Sequence, residues 1–588
     1  MKKRLVLLLL VVLFVISLFS GCGSTTGGGS ADSPNTDVSN AGNNSDSPTP
    51  TPTENEEEEL PYKFPAGKYE VDAEGFPTAP YDYELPLSTT EEIFTYWTVC
   101  WTPAYIPEDG FGAMPYPQLI HEETGVNIEY VLVTSEQRQQ NFSVLMAADD
   151  LCDLSAGAVS FYTDTVRSSI DDGWLANLYD YREYMPNYMY QCASRDNVDV
   201  WSKIFYDDDL INAFYSMTDT PLPSMGLVIR YDWCEDYGVD FESITTYDEL
   251  YDALVAFRNN GVVSPFTMFS RIEQMSGYAF AGFNTTASIN PYGLPYTRRT
   301  LDGKIEFVQT TEDDRELMTM INKWFSEDLI DKNWASYEDS TGAMHTEAIT
   351  DKVGVFPVNP SGVQAMEDQS VNPDCRWEAI PRLKRTEDQK LMFGQSLSHF
   401  NFGSTSISAK CENIPLMVSY MDWFYSDDGY FIGSFGVEGL TWEYNDEGEI
   451  RLTDFTMNHP EGLGSGWILV MWANNALAEG GMKSSSSRYH YEGGKRIEEM
   501  HYKWVIDGYK GEMDVPSSMT FTEDEEEELG KYANEISTYI NENYLAFVDG
   551  SKPMSEWDSY VAAINDLGLP RCQEIYQTAY DRFMERFQ

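Results

Sequence analysis

Asn127-Ile128-Glu129-Tyr130-Val131-Leu132-Val133 and Val353-Gly354-Val355-Phe356-Pro357 decide the fold class. Both are short apolar runs rich in β-branched and aromatic residues, which suit a pleated surface, so each predicts a strand. Helical segments surround them. Behind Thr246, Leu250, Leu254 and Phe257 recur at helical spacing. Glu249 stands three residues after Thr246 and completes a capping box, which predicts a helix over Tyr247–Phe257. Thr522 and Glu525 repeat the device before an acidic first turn, Glu523 to Glu528, that complements the positive end of a helix dipole. Arg315–Trp324 and Pro415–Tyr425 also read as helices, Pro415 being tolerated in a first turn. Strands alternating with helices predict an α/β architecture. No internal repeat is present.

Outward to the N-terminus, Lys2, Lys3 and Arg4 precede an apolar run from Leu5 to Phe19. The run is shorter than the roughly 20 residues of a membrane span, so residues 1–21 are expected to be a secretory signal. Leu18-Phe19-Ser20-Gly21-Cys22 resembles a bacterial lipobox, with Phe19 where an aliphatic residue is usual. Cys22 is the expected lipidation site, and its acyl chains would anchor the protein. Gly23 to Glu59 is mostly Gly, Ser, Thr, Asn, Asp and Pro, including Pro48-Thr49-Pro50-Thr51-Pro52-Thr53. Such a composition cannot bury a core, so residues 22–60 are expected to form a disordered stalk. Residues 61–588 are long enough for two lobes of roughly 200 residues or more.

Composition excludes several functions. Acidic residues number 96 against 38 basic ones, a net charge of −58. Nucleic acid is not an expected partner, because phosphate contacts need clustered Lys and Arg. The same balance disfavours a strongly anionic ligand, although acidic surfaces also serve solubility alone. Apart from Cys22, the cysteines are Cys100, Cys152, Cys192, Cys234, Cys375, Cys411 and Cys572, scattered and without a CxxC pair. They suggest neither a disulfide framework nor a zinc site, but small buried side chains. No GxSxG, HExxH, P-loop or dinucleotide fingerprint occurs. The histidines form no i, i+4 pair. No catalytic residue, metal or cofactor is expected. Asp207-Asp208-Asp209 has oxygen ligands suited to calcium but lacks EF-hand spacing, so it reads as a solvated turn.

Aromatic residues make up 14% of the chain, and several crowd together. Tyr96, Trp97, Trp101 and Tyr105 follow the strand-like start Ile93-Phe94; Trp442 pairs with Tyr444, and Trp467 with Trp472. Sugar rings present apolar C–H faces that pack on aromatic rings, and their hydroxyls need polar partners. Core packing competes as the explanation for each tryptophan.

From residue 91 onward the chain resembles family 1 extracellular solute-binding proteins, in particular their large Gram-positive lipoprotein branch. The residues carrying the likeness are Leu119–Ile128, Leu145–Asp150 with Asp153-Leu154, Gly173–Asp180, and Tyr184–Asn187. Cys152 stands where that family's second segment usually has proline. Leu227–Trp233 with Tyr237-Gly238-Val239, Asp302–Ile305, Trp324–Asp331, Tyr425–Tyr430, Phe435–Gly439, Asp566–Leu569 and Ile575–Arg582 continue it in order.

The resemblance implies a two-lobed, periplasmic-binding-protein-like α/β fold with a hinge and a ligand cleft between the lobes. Lobe one is expected over about 88–225 plus 402–433, and lobe two over about 226–390 plus most of 434–588. It implies a monomeric protein that is not an enzyme. This protein would capture a carbohydrate, a neutral oligosaccharide by the charge argument, and deliver it to the permease subunits of an ABC importer. It would work on the extracellular face of the cytoplasmic membrane, held by its lipid anchor. The alternative is a surface glycan-binding or sensor lipoprotein without an importer; a hydrolase has the least support. By position along the family pattern, Trp97, Trp101, Phe161 and Tyr162 are expected at the cleft from lobe one, and Trp442 and Trp467 from the second half. The four tryptophans are assigned to stacking and Glu438 to hydroxyl binding. Arg230 and Asp232 read as an architectural pair at the lobe junction.

Overall fold

Strands and helices alternate along the chain as the periodicity predicts. The structure, a computed structural model, describes residues 60–586 except 102, 163–164, 194–197, 224, 269–278, 286–293, 338–341, 396–397, 461–462, 474–478 and 517. The expected signal sequence, Cys22 and nearly all of the expected stalk lie outside the described residues. The strands are β1 (Ile93–Cys100), β2 (Asn127–Thr134), β3 (Leu154–Ala156), β4 (Phe214–Thr218), β5 (Gly226–Arg230), β6 (Ser264–Phe266) and β7 (Thr297–Arg299). They continue with β8 (Ile305–Phe307), β9 (Val353–Val358), β10 (Trp377–Ala379), β11 (Phe400–Ile407), β12 (Trp442–Tyr444), β13 (Ile450–Leu452) and β14 (Gly481–Lys483).

Two sheets organise the fold. The first has the order β14-β4-β11-β3-β1-β2. β1 pairs with β2 in parallel, from Ile93 opposite Asn127 to Cys100 opposite Thr134. β11 is antiparallel to both of its neighbours, so the other five strands run in one direction. The second sheet has the order β10-β5-β9-β6, with β5 antiparallel to its neighbours. β7–β8 and β12–β13 form two hairpins.

Local signals set the helices. Both capping boxes form: Glu249 accepts from Thr246 N at 2.8 Å, and Glu525 from Thr522 N at 2.8 Å. The predicted helices lengthen to Tyr247–Asn259 and Glu312–Ser326. The helix expected over Pro415–Tyr425 ends at Trp423, because Ser426 caps the next helix, Asp427–Phe435. One large apolar core surrounds the second sheet and includes Trp324, Phe356, Trp377, Trp504 and Tyr560. Another surrounds the first sheet and includes Tyr188, Phe214, Met417 and Trp423. The C-terminal helices Glu523–Asp549, Trp557–Asp566 and Leu569–Glu585 bury their apolar faces in the second-sheet core. The seven described cysteines are buried and unbridged, as expected.

The chain passes between the two cores after β4, before β11 and after β14, and these passages are laced together. Thr218 N donates to His399 O at 2.7 Å, and Asp219 N to Lys483 O at 3.0 Å. The Asp219 carboxylate accepts from Ser485 N, Ser485 Oγ, Thr220 N and Tyr430 Oη at 2.6–2.9 Å. Burial alone would raise its pKa, but these donors hold the carboxyl below its ordinary value. Buried Arg382 donates to Met225 O and Trp504 O, each at 3.0 Å. His501 Nε2 meets Pro223 O at 2.6 Å while its Nδ1 meets Tyr489 Oη at 2.9 Å.

Arg230 and Asp232 do form an architectural pair. The buried guanidinium donates to both oxygens of Asp232 at 2.6–2.8 Å, also pairs with Asp351, and lies 4.0 Å from the Trp233 ring. The pair sits at the carboxyl end of β5, though, and not at the junction, because the chain arrives from the first crossing at the other end of the strand, Gly226. Arg167 spans Asp207 and Asp209 across the acidic turn.

Candidate functional site

Direction of the strands locates the site. The carboxyl ends of β1, β2, β3, β4 and β14 share one edge of the first sheet. The passages to the second core leave from that edge after β4 and β14, and β11 enters there. Ligands of open α/β sheets bind in the crevice outside the carboxyl ends of the strands. The loops after β1 and β3 therefore face the candidate cleft.

The structure distributes the expected residues unevenly. Trp97 is fully buried within β1, its Nε1 donating to Asn141 Oδ1 at 2.6 Å and its ring packed on Phe142 and Phe161. It has no free face and is corrected from a stacking residue to a core residue. The reason is the length of β1, which runs to Cys100 and turns the expected aromatic loop into an interior strand. Trp442 is likewise buried, on β12 against Phe431, Phe435, Leu452 and Leu469, and is also core. Trp101, just beyond β1, is half-buried against the first-sheet core. Glu438 is exposed in the turn before β12. The Trp467 side chain lies outside the described residues.

Phe161 and Tyr162 follow the short 3₁₀ turn Ala158–Ser160 after β3 and are both half-buried. Arg138 lies 4.6 Å from the Phe161 ring and donates to Ala156 O at 3.1 Å. Gly157 permits this approach: its φ is 71°, and a Cβ there would fall 2.7 Å from the guanidinium. Tyr162 Oη donates to Asp172 at 2.9 Å.

A second aromatic group emerges from segments far apart in sequence. Tyr105 follows β1, Phe455 and His459 flank the helix end at Met457, and Trp472 ends the helix Ser465–Trp472. Ring centroids are 6.3 Å apart for Tyr105–His459, 5.0 Å for Phe455–His459, 5.8 Å for His459–Trp472 and 5.5 Å for Phe455–Trp472. All four are half-buried. Met471 fixes the helix against Phe111 and Met114, below the loop after β1. Tyr105 and Trp472 stood out in the sequence as members of aromatic groups, but Phe455 and His459 did not. Their i, i+4 spacing behind the N-cap Thr453 was the available signal.

On β1, Thr98 Oγ1 donates to Glu479 Oε1 at 2.9 Å. Burial pushes the Glu479 carboxyl up to about 7. Burial also pulls the amine of Lys483, on β14, down to about 7, against the attraction of Glu479. Lys483 Nζ reaches Ser216 Oγ at 3.1 Å. Among the described residues no group of three or more His, Cys, Asp or Glu is arranged to hold a metal ion. None of the described helices is long and apolar enough to cross a membrane.

Two sheets with separate cores, joined by several passages, make up the fold. The sequence pattern of bacterial extracellular solute-binding proteins matches residues 113–430, more than half of the chain. The chain belongs to that family. Solved structures share the solute-binding protein's fold along nearly their whole length. An extracellular solute-binding protein from Bifidobacterium longum subsp. infantis is 16% identical, covers 87% of this chain and 100% of its own, and has a TM-score of 0.64. An HMO binding ABC-transporter associated solute-binding protein from Bifidobacterium longum infantis is 18% identical, covering 83% and 98%, at a TM-score of 0.62. The alginate-binding protein AlgQ2 without calcium ion is 19% identical, covering 84% and 99%, at a TM-score of 0.58. No curated protein matches the sequence. The solute-binding protein thus has the two-lobed, periplasmic-binding-protein-like α/β fold.

Proposed function

We propose that this solute-binding protein captures a neutral oligosaccharide and delivers it to the permease subunits of an ABC importer. It would do so as a monomer on the extracellular face of the cytoplasmic membrane, anchored through lipidated Cys22 at the end of a flexible stalk. The observation that carries the reading is the half-buried aromatic group Tyr105, Phe455, His459 and Trp472 beside the crevice edge. Aromatic rings with exposed faces offer the apolar half of sugar recognition. Half-buried Trp101, Phe161 and Tyr162 on the neighbouring loops extend that surface. Proteins of the same fold include one described as HMO binding and one as alginate-binding, so shape alone does not fix the glycan. The net charge of −58 favours the neutral class.

Titration calorimetry of the purified protein against neutral oligosaccharides and oligouronates tests the reading. Binding of a neutral oligosaccharide with weak salt dependence is expected. Trp472→Ala should weaken it about tenfold, the equivalent of about 1.4 kcal/mol. Affinity confined to oligouronates and falling steeply with salt overturns the ligand class. For the anchor, Cys22→Ala should release the protein from membranes or block its processing; normal cleavage with full retention overturns lipidation at Cys22.

A further inference from the structure

We infer that Glu479 is a ligand-facing hydroxyl acceptor in the crevice, one carboxylate oxygen held by Thr98 and the other left for the sugar. The inference rests on the oligosaccharide reading above and narrows it. The backbone around Glu479 is locked. Gly480 N donates to Thr405 Oγ1 at 3.0 Å and Gly481 N to Tyr425 Oη at 3.0 Å. A Cβ on Gly480 would fall 2.4 Å from Phe214 O of β4, and its bond to Thr405 of β11 carries the chain over the sheet face, from where the Glu479 side chain meets β1. There Oε1 accepts from Thr98 Oγ1 at 2.9 Å, near the carboxyl end of β1. Among the described residues Oε2 accepts no hydrogen bond; Lys483 attracts Glu479 without an ion-pair contact, and the side chain is half-buried. Half-exposed, the carboxylate stays open to a donor, and hydrogen bonds to charged acceptors are the strong ones. The same charge would repel an oligouronate. Lys483 is the charged group facing Glu479, and Tyr96 of β1, Tyr116, Tyr130 of β2 and Tyr420 are the titratable ones.

The test is calorimetry at pH 8, where a carboxyl titrating at about 7 is mostly ionised. Neutral fructo-, manno- and N-acetylated oligosaccharides are titrated beside oligouronates, into the parent protein, Glu479→Gln and Glu479→Ala. Thermal unfolding checks each variant, and the isosteric Gln settles the question should the Ala variant not fold. The expected result is about a tenfold loss of neutral-oligosaccharide affinity. The neutral-to-uronate affinity ratio should also fall at least tenfold in Glu479→Gln. Parent-like affinity and ratio in a folded Glu479→Gln overturn the role of Glu479 and leave the oligosaccharide reading standing. A parent protein that binds none of the neutral oligosaccharides overturns both.

Discussion

Asp422 accepts hydrogen bonds from Asn187 N at 3.0 Å, Tyr188 N at 2.7 Å and Tyr83 Oη at 2.8 Å, deep in the first-sheet core. Asp422→Ala would strand two buried N–H groups. We expect stability to fall by about 3 kcal/mol or more, read from denaturant unfolding. An unchanged midpoint would show that water replaces the carboxylate. Tryptophans pose a different question at the same scale, whether a ring face remains once the chain has folded. Trp97→Ala should cost about 3–5 kcal/mol of stability, because it empties a packed site. Trp472→Ala should leave the unfolding midpoint nearly unchanged and act on binding. Composition singled out both residues and could not separate them. Burial is decided by which face of which element a ring lands on, and for Trp97 that depended on β1 extending to Cys100. Phe455 and His459 gain their meaning only from Tyr105 and Trp472, which other segments bring to them.

At the scale of elements, local chemistry was legible wherever it acts locally. The hydroxyl of Thr246 and the carboxylate of Glu249 close their capping box within four residues, so sequence spacing suffices to see it. Thr246→Ala should destabilise the protein by about 1 kcal/mol; a thermal transition matching the parent would show that tertiary contacts alone hold the helix Tyr247–Asn259. The strands β2 and β9 were visible because their apolar runs are bounded on both sides, and the structure extends each by a single residue. β1 was seen only at Ile93-Phe94, since the aromatic residues that continue it also suit a binding loop. Sheet order was not visible at all. That β11 inserts antiparallel between β3 and β4 follows from long-range packing that no short pattern encodes.

Across the whole molecule, the passages between the two cores are the segments on which closure of a two-lobed protein would turn. His501 sits among them, and burial pulls its imidazole down to about 4. The unfolded chain binds a proton at an ordinary 6.5 and the folded one does not, so stability falls as pH drops from about 6.5 towards 4. The loss would reach about 3 kcal/mol at pH 4. Thermal unfolding between pH 7 and 4.5 should show this loss in the parent and less of it in His501→Gln; equal slopes would assign the acid sensitivity elsewhere. β14 carries a consequence of another kind. The first sheet starts at Ile93 and reaches its far edge only with Gly481–Lys483, so its two boundary strands, β2 and β14, lie roughly 350 residues apart in the chain. Contacts between such distant segments must wait for the intervening chain, and folding dominated by them is slow. A chain still being made, or ending before Gly481, has an unpaired β4 edge and cannot complete the lobe. Assembly of the first lobe is therefore a late event, finished after the second-sheet strands between Gly226 and Ala379 have been available for pairing for some time.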